Sequence, residues 1–252
     1  MSNPACTPLA GRRALVTGAG RRIGATIAAR LHAAGATVGI HYRTSAMEAT
    51  TLRDRLNDTR SGSAEIFAAD LGRTRDSEQL LTDYANWCGG LDVLVNNASS
   101  FFPTPLGTIS ETQWDELIGS NLKGPLFLSQ AAYPLLARNA GAIVNIVDVH
   151  AQRPLRDHTV YGVAKAGLAM LTRSLAKEMA PAVRVNGVSP GAVLWPEDGI
   201  TAGVKEAVLK QIPLARTGHP DDIADCVLYL VDARYVTGQI VAVDGGRSIG
   251  WS

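Results

Sequence analysis

Short segments rich in apolar and β-branched residues alternate along this chain with segments of helical periodicity. The clearest of them, residues 142–147 (AIVNIV), is an unbroken apolar run, which is typical of a strand buried on both faces of a parallel sheet. The seven predicted strands span residues 13–17, 37–42, 64–69, 91–96, 142–147, 183–188 and 236–243. Strands that alternate with helices favour an α/β fold, with a doubly wound parallel sheet and helices on both faces.

Helical patterns fill the intervals between these strands. The predicted helices cover residues 45–60, 74–88, 125–138, 160–180 and 203–211, with others ending near residues 34 and 121 and one beginning at Pro220. Ser110 to Gln113 (SETQ) predicts a capping box at the start of the helix that ends near Asn121.

Size and composition suit a single domain. The chain has 252 residues, of which 46% are hydrophobic and 19% charged. We therefore expect one domain over residues 11–252 and a loose tail over residues 1–10. The net charge of +1 gives no reason to expect nucleic acid or a membrane as a partner. The cysteines show no metal-ligand spacing, so we expect no metal and a reduced cytoplasmic location.

A glycine-rich turn, Gly18–Gly24, follows the first predicted strand and leads into a helix. Strand, glycine turn and helix in this order present backbone N–H groups and a helix N-terminus to a pyrophosphate. A tight turn without a ligand is the alternative, since one glycine-rich turn is weak evidence.

Arginines accompany this turn. An NAD site commonly has a carboxylate after the second strand, where it holds the ribose hydroxyls. This chain has Arg43 there, with Arg21 and Arg22 on the glycine turn. Clustered guanidinium groups suit a 2′-phosphate and therefore predict NADP(H) as the cofactor. Three solvated surface arginines are the alternative.

The fourth predicted strand leads into Asn96, Asn97 and Ala98, which we expect to approach the cofactor. Phe101 and Phe102 follow in a loop that also contains prolines. Paired aromatic residues in such a loop form a small separate core as often as a binding platform, so both interpretations stay open.

The main candidate for catalysis lies after the fifth predicted strand. Asp148 is at the carboxyl end of that strand, where open α/β sheets bind ligands. Tyr161 and Lys165 are one turn apart on the next helix, so their side chains share a face. We expect the ammonium to lower the pKa of Tyr161, so that the phenol donates a proton near neutral pH. A half-buried tyrosine and a solvated lysine are the alternative.

Over essentially its whole length the chain resembles the short-chain dehydrogenase/reductases, which have a Rossmann-type fold. The matching features are the glycine turn, Asp70, Asn96-Asn97-Ala98, Asn121, the Tyr161/Lys165 pair, Ser189-Pro190-Gly191 and Asp244-Gly245-Gly246. The resemblance implies that Tyr161 protonates the substrate, that Lys165 holds the nicotinamide ribose, and that Asn121 positions a relay water.

Two positions depart from the common family pattern: Arg22 stands where glycine is usual, and Asp148 where a catalytic serine is usual. Both departures resemble the pteridine reductases, as do His41-Tyr42 and NNASSFFPTPL at residues 96–106. A carboxylate at this position fits a proton shared with Tyr161, and it can accept N–H groups of a pterin.

The same resemblance implies a substrate site. Phe101 would stack on the pterin, and Arg22 and Ser99 would contact the pterin and a cofactor phosphate. Trp195 is a candidate lid residue, with simple loop packing as the alternative. For Asp148 the alternative is a cap in an inactive site.

Motifs and resemblance together define the expected contacts. Cofactor contacts are expected from Gly18, Arg21, Arg22, Ile23, His41, Tyr42, Arg43, Ser45, Asp70, Leu71, Asn97, Ala98, Ser99, Val147, Tyr161, Lys165, Pro190 and Gly191. Substrate contacts are expected from Arg22, Ser99, Phe101, Asp148, Tyr161 and Trp195. The resemblance also implies a homotetramer packed through residues 114–138, residues 161–180 and the last strand.

The leading hypothesis is NADPH-dependent reduction of dihydropterins, dihydrofolate included. A carbonyl reductase acting on 3-oxoacyl thioesters is a second enzyme hypothesis, and the absence of serine at residue 148 argues against it. A nonenzymatic NADP-sensing regulator is the third, and the intact Tyr161 and Lys165 argue against that.

Overall fold

The computed structural model describes residues 7–195 and 201–250. Seven parallel strands pair into one sheet. They are β1 (Arg13–Val16), β2 (Thr37–Tyr42), β3 (Ala64–Ala68), β4 (Val93–Asn96), β5 (Ala142–Ile146), β6 (Arg184–Pro190) and β7 (Ile240–Val243). Their order across the sheet is β3-β2-β1-β4-β5-β6-β7, which confirms the predicted doubly wound α/β fold.

Helices connect the strands. The α-helices are α1 (Arg22–Ala33), α2 (Ala46–Thr59), α3 (Thr74–Cys88), α4 (Glu111–Ile118), α5 (Gly124–Ala137), α6 (Thr159–Glu178), α7 (Ala202–Lys210) and α8 (Pro220–Asp232). A π-helical turn, Gly119–Lys123, joins α4 to α5, and a short 3-10 helix, Val149–Ala151, follows β5. The predicted capping box is confirmed at the start of α4, where Ser110 and Gln113 exchange hydrogen bonds.

Buried side chains cover both faces of the sheet. One core cluster packs α1, α2 and α8 against the sheet, with Ile27 among its buried members. A second cluster, which includes Leu136, packs α3, α5 and α6. Ala14 and Val16 of β1 belong to the first cluster and Leu15 to the second, because successive side chains of a strand point to opposite faces.

The carboxyl ends of β1 and β4 lie side by side at the centre of the sheet, where Val16 pairs with Val95. The chain winds outward in opposite directions from these two strands, and such a switch point is where open α/β sheets bind ligands. The glycine turn follows β1, Asn97 follows β4 and Asp148 follows β5. The fold therefore brings site residues from distant parts of the sequence to one edge of the sheet.

Two predicted elements differ most from the structure. The last strand, predicted over residues 236–243, begins only at Ile240. Gly238 has a φ of +73°, a left-handed conformation that interrupts an extended strand. The helix expected to end near Asn121 instead continues through the π-helical turn into α5.

The predicted loose tail over residues 1–10 extends too far into the chain. Leu9 is buried in the first core cluster, and its N–H donates a hydrogen bond to the carbonyl oxygen of Ala34. Residues 1–6 lie outside the described part of the chain. Within the described ranges, no helix is long and apolar enough to cross a membrane.

Candidate active site

The glycine turn between β1 and α1 packs against the loop that follows β4. A side chain at Gly18 would place its Cβ 2.8 Å from the Cα of Ala98, and one at Gly24 would place it 2.3 Å from the Gly18 carbonyl oxygen. Asn97 reinforces the contact, since its Nδ2 donates to the carbonyl oxygen of Thr17 at 2.8 Å. Packing therefore requires glycine here. The first turn of α1 borders the cleft that results, and the N–H groups of that turn have no helical partners.

This cleft is a cavity of about 600 Å³. The predicted contact residues that line it are Gly18, Arg21, Arg22, Ile23, His41, Arg43, Ser45, Asp70, Leu71, Asn97, Ala98, Ser99 and Phe101. Gly20 shows how closely the turn approaches its neighbours, because a Cβ there would lie 2.4 Å from Ser45 Oγ. Glycine backbone, a helix N-terminus and arginine side chains at the carboxyl edge of the sheet fit the phosphates of a dinucleotide.

Several residues predicted to contact the cofactor lie outside this lining. The side chain of Tyr42 packs against the first core cluster, and that of Val147 is buried next to α6. Neither side chain lines the cavity, because apolar packing directs both into the interior. Pro190 ends β6, and Gly191 lies so close to the C-terminal turn that a Cβ there would be 2.7 Å from the Cα of Asp244.

Arg22 has a left-handed backbone conformation, with a φ of +56°. Glycine adopts this conformation freely, whereas another residue pays about 1–2 kcal/mol. The Nη2 atom of Arg22 donates to the carbonyl oxygen of Trp195 at 3.2 Å. Two predicted substrate residues, one on the glycine turn and one after β6, are therefore in contact. The Trp195 ring also lies 5.8 Å from Nζ of Lys205 in α7.

His41 is a positioning residue. Its ring is buried, Nδ1 accepts a hydrogen bond from the Gly18 N–H at 3.1 Å, and Nε2 lies 3.1 Å from the carbonyl oxygen of Ala69. The first contact requires an unprotonated Nδ1, so Nε2 carries the hydrogen. Burial lowers the pKa of His41 to about 4, which keeps the ring neutral. Both ring nitrogens are bonded within the protein, and His41 also lines the cavity, so it orients the glycine turn at the predicted cofactor site.

The predicted catalytic residues meet beyond the end of β5. The hydroxyl of Tyr161 donates to Oδ2 of Asp148 at 2.7 Å. The other carboxylate oxygen, Oδ1, accepts from the N–H of His150 at 2.8 Å. One turn further along α6, Nζ of Lys165 donates to the carbonyl oxygen of Ile146 at 2.9 Å and lies 5.7 Å from the Tyr161 ring centroid. Phenol, carboxylate and ammonium thus form one compact group.

The expected lowering of the Tyr161 pKa is wrong. Burial raises the pKa of Tyr161 well above its ordinary value, and the Asp148 carboxylate raises it further by its charge and hydrogen bond. Burial also lowers the pKa of Lys165 to about 8, against the opposing charge of Asp148. The phenol therefore stays protonated and donates its hydrogen to Asp148. Charge and burial here favour the protonated phenol of Tyr161 over its phenolate.

Asn121 is fully buried in the π-helical turn, an element that is frequent at functional sites. Its Nδ2 donates to the carbonyl oxygens of Ser100 and Leu117 at 2.9 and 3.0 Å, and its Oδ1 accepts from Ser99 Oγ at 2.6 Å. Burial and Asp148 dominate the pKa of Tyr161, but a hydrogen bond with Ser99 lowers it. A hydroxyl beside the phenol thus comes from the loop after β4 instead of from residue 148.

The two phenylalanines of that loop have different environments. Phe102 packs, partly buried, against a small cluster that contains Leu117 and Tyr161. Phe101 is 48% exposed. Its ring stacks on His158 at a centroid distance of 4.6 Å and an interplanar angle of 18°, and it meets Tyr161 edge-on at 4.8 Å. Phe102 therefore belongs to a separate small core, whereas Phe101 lies half-exposed beside Tyr161.

Sequence reasoning missed two charged residues that the fold brings to this site. Glu116 of α4 approaches Arg43, with 3.5 Å between Oε1 and Nη2. Arg247 lies near Asp148: burial lowers the pKa of Arg247, while the charges of Asp148 and Asp244 raise it. No local pattern distinguishes Glu116 from other helix-surface glutamates. Arg247 directly follows the matched Asp-Gly-Gly motif, a signal that could have identified it.

Nothing in the described ranges suggests a metal centre, since no group of three or more His, Cys, Asp or Glu residues there could hold an ion.

The comparisons with known proteins cover the entire site. A family model described as enoyl-(acyl carrier protein) reductase matches residues 18–248. The chain is 39% identical to pteridine reductase 1 of Leishmania tarentolae, over 94% of this chain and 96% of that protein.

Two other relatives are ketoacyl reductases by description. One belongs to the granaticin polyketide synthase of Streptomyces violaceoruber, at 38% identity over 94% of this chain and 96% of that protein. The other is the 3-oxoacyl-[acyl-carrier-protein] reductase FabG of Staphylococcus aureus, at 36% identity over 93% and 97%. The chain belongs to the short-chain dehydrogenase/reductase family, and it is an oxidoreductase that uses a nicotinamide cofactor. Because these identities are so similar, the choice of substrate must be argued from the site.

Proposed function

We propose that this enzyme is an NADPH-dependent reductase of dihydropterins such as dihydrobiopterin, dihydromonapterin and dihydrofolate. The observation that carries the proposal is the 2.7 Å hydrogen bond between the Tyr161 hydroxyl and the Asp148 carboxylate. Reduction of a pterin C=N bond needs a hydride at carbon and a proton at nitrogen. Bound NADPH supplies the hydride, so the protein must hold and deliver the proton.

The carboxylate suits a nitrogen heterocycle better than it suits a ketone. A ketone oxygen needs a hydrogen-bond donor, whereas a pterin also has N–H groups that an ionised carboxylate can accept. Asp148 is held in place by the N–H of His150, so its second oxygen faces Tyr161. One proton shared by Tyr161 and Asp148 passes to the ring nitrogen in this proposal.

Lys165 supports that transfer. Its ammonium is buried, and its pKa of about 8 leaves it mostly charged at neutral pH. A positive charge beside Tyr161 offsets the negative charge that remains when the proton leaves. By family resemblance the same ammonium holds the nicotinamide ribose.

Phe101 supports a flat substrate. One face of its ring is covered by the His158 imidazole, but nearly half of the side chain stays exposed next to Tyr161. Planar heterocycles stack favourably on such a ring. We propose that the pterin stacks on the uncovered face, within reach of the proton held by Tyr161 and Asp148.

The cofactor preference follows from the arginines. Arg21 and Arg43 both line the cavity, one on the glycine turn and the other after β2. Their guanidinium groups favour a ligand that carries a 2′-phosphate, hence NADPH over NADH.

A carbonyl reductase for 3-oxoacyl thioesters is the second candidate. Two observations favour it: the similarity to two ketoacyl reductases, and the Ser99 hydroxyl beside Tyr161, which could support a carbonyl oxygen. The NADP-sensing regulator has no comparable support, because the catalytic group is assembled.

One assay separates these functions. NADPH oxidation by the purified enzyme is followed with dihydrobiopterin, with an acetoacetyl thioester and with no acceptor. We expect oxidation only with the dihydropterin. Rapid turnover of the thioester together with none of the dihydropterin would replace the first proposal by the second.

We also propose a cytoplasmic homotetramer. Large apolar side chains are exposed on the helices that the resemblance assigns to subunit contacts: Trp114 (46%) on α4, Tyr133 (36%) on α5 and Met170 (60%) on α6. Light scattering after size-exclusion chromatography should give four times the chain mass, and a monomer mass would contradict this assignment.

A further inference from the structure

An ion pair spans the rim of the cofactor cavity. Arg43 follows β2, and its Nη2 lies 3.5 Å from Oε1 of Glu116 in α4. The same carboxylate oxygen accepts a hydrogen bond from the Ser100 hydroxyl at 3.3 Å. Arg43 and Ser100 both line the cavity, so Glu116 connects the loop after β2 with the loop after β4. Glu116 thereby brings a carboxylate to the end of β2, where an NAD site commonly has an acidic residue and this chain has Arg43.

We propose that Glu116 sets how strongly this enzyme prefers NADP(H) over NAD(H), because it competes with the 2′-phosphate for Arg43. The inference rests on the proposed role of Arg43 as the phosphate-binding residue. Among the residues that the structure describes, Glu116 is the one carboxylate that forms an ion pair with Arg43.

Charge gives the direction of the effect. A guanidinium binds a phosphate through parallel N–H bonds, so a carboxylate that already accepts from it must yield or share. The carboxylate also repels the phosphate directly. Both side chains are nearly half exposed, at 47% and 44%, and solvent screens such pairs strongly. We therefore expect Glu116 to weaken 2′-phosphate binding by only about 3- to 5-fold.

NAD(H) should respond differently. Its adenine ribose carries free hydroxyl groups, which are donors that carboxylates hold in many NAD sites. Glu116→Gln removes the charge but keeps an acceptor oxygen and the length of the side chain. The substitution should therefore strengthen binding of ligands with a 2′-phosphate and leave ligands without one almost unchanged.

The test measures binding by calorimetry, without substrate or turnover. The ligands are adenosine 2′,5′-bisphosphate and adenosine 5′-monophosphate; the proteins are wild type, Glu116→Gln, Arg43→Ala and the double variant. Glu111→Gln is the matched control, since it removes an exposed charge at the start of the same helix. We expect Glu116→Gln to bind the bisphosphate about 3- to 5-fold more tightly at low salt, with a smaller gain at high salt.

The measurements with the monophosphate and with the other variants decide the interpretation. The gain should be absent with the monophosphate, in Glu111→Gln and in the Arg43→Ala background, because the competition acts through Arg43. Unchanged or weaker binding of the bisphosphate by Glu116→Gln would overturn the inference while leaving the phosphate site intact, provided that Arg43→Ala alone weakens binding. If Arg43→Ala binds the bisphosphate as wild type does, the proposed phosphate site itself is wrong and the inference falls with it.

Discussion

The proposed nucleotide half of the candidate site and its proposed proton-delivery half depend on different interactions. Backbone packing shapes the nucleotide half: the glycine turn leaves no room for Cβ atoms, and His41 ties it to the strands beside it. Burial and charge shape the proton-delivery half: burial raises the pKa of Tyr161 and lowers that of Lys165, and the charge of Asp148 raises both. Substitutions in the first half should therefore change binding or folding, and those in the second should change proton transfer. The loop after β4 joins the halves, since Ser99 contacts Asn121.

The largest expected effect lies in the proton-delivery half. Asp148→Asn keeps the shape and one acceptor of the side chain, but it cannot carry a proton. Turnover of dihydrobiopterin should fall about 10²-fold or more, which is the low end for a lost general acid. Steady-state kinetics would measure the loss, and NADPH fluorescence titration should show unchanged cofactor affinity.

Asp148→Ser sharpens the same test, because it restores the usual family residue. It should lose pterin reduction and gain weak ketone reduction, since a neutral hydroxyl can support a carbonyl oxygen. If both variants reduce dihydropterin at the wild-type rate, Asp148 is a structural cap and the two halves do not differ as argued.

The second expected effect concerns folding in the nucleotide half. His41 has a pKa of about 4 when folded and an ordinary value of 6.5. Between these values the unfolded chain binds the extra proton, so stability is lost as pH falls from about 6.5 to about 4. Over this interval the free energy of unfolding of wild type should fall by roughly 2–3 kcal/mol more than that of His41→Gln, which retains a donor and an acceptor. Urea denaturation at several pH values measures the free energy of unfolding of both proteins. Equal declines in wild type and His41→Gln would show that His41 is not held neutral.

The same contrast explains what the sequence could predict. The apolar runs and the turn Gly18–Gly24 are local signals, and their consequences follow from strand burial and glycine geometry. The fold and most of the cavity lining can therefore be predicted from the sequence. The pKa of Tyr161 was predicted in the wrong direction, because the charge of Lys165 was considered without burial. Glu116 was missed because its approach to Arg43 depends on the packing of α4 beside the sheet, for which an exposed glutamate carries no local signal.

Phe101 should give the next largest effect, on substrate binding. Phe101→Ala removes the exposed ring beside Tyr161, and pterin binding should weaken by roughly 1–3 kcal/mol, as for a base stacked on an aromatic side chain. NADPH affinity should stay nearly constant, since the ring lies at the catalytic end of the cavity. Pterin affinity is measured by titration of the enzyme–NADP⁺ complex. Tyr229→Ala, which removes an exposed aromatic ring from α8, is the control and should leave pterin affinity unchanged. Equal affinities of Phe101→Ala and wild type would assign Phe101 to loop packing.

The smallest expected effect is at the exposed rim of the nucleotide half. Arg43 is 47% exposed and already shares its guanidinium with Glu116, so solvent and competition both limit what its charge contributes. Arg43→Ala should raise the KM for NADPH about 5-fold, which corresponds to the upper range for an exposed charge pair. The KM for NADH should hardly change, because that cofactor lacks the phosphate. Dihydropterin turnover at saturating NADPH should remain at the wild-type level, because Tyr161 and Asp148 are unchanged. The ratio of kcat/KM for the two cofactors, measured at two salt concentrations, checks this, since a screened phosphate contact must weaken as salt rises. A loss of turnover at saturation would mean that the rim and the proton-delivery group are coupled, and the separation between the two halves would then be wrong.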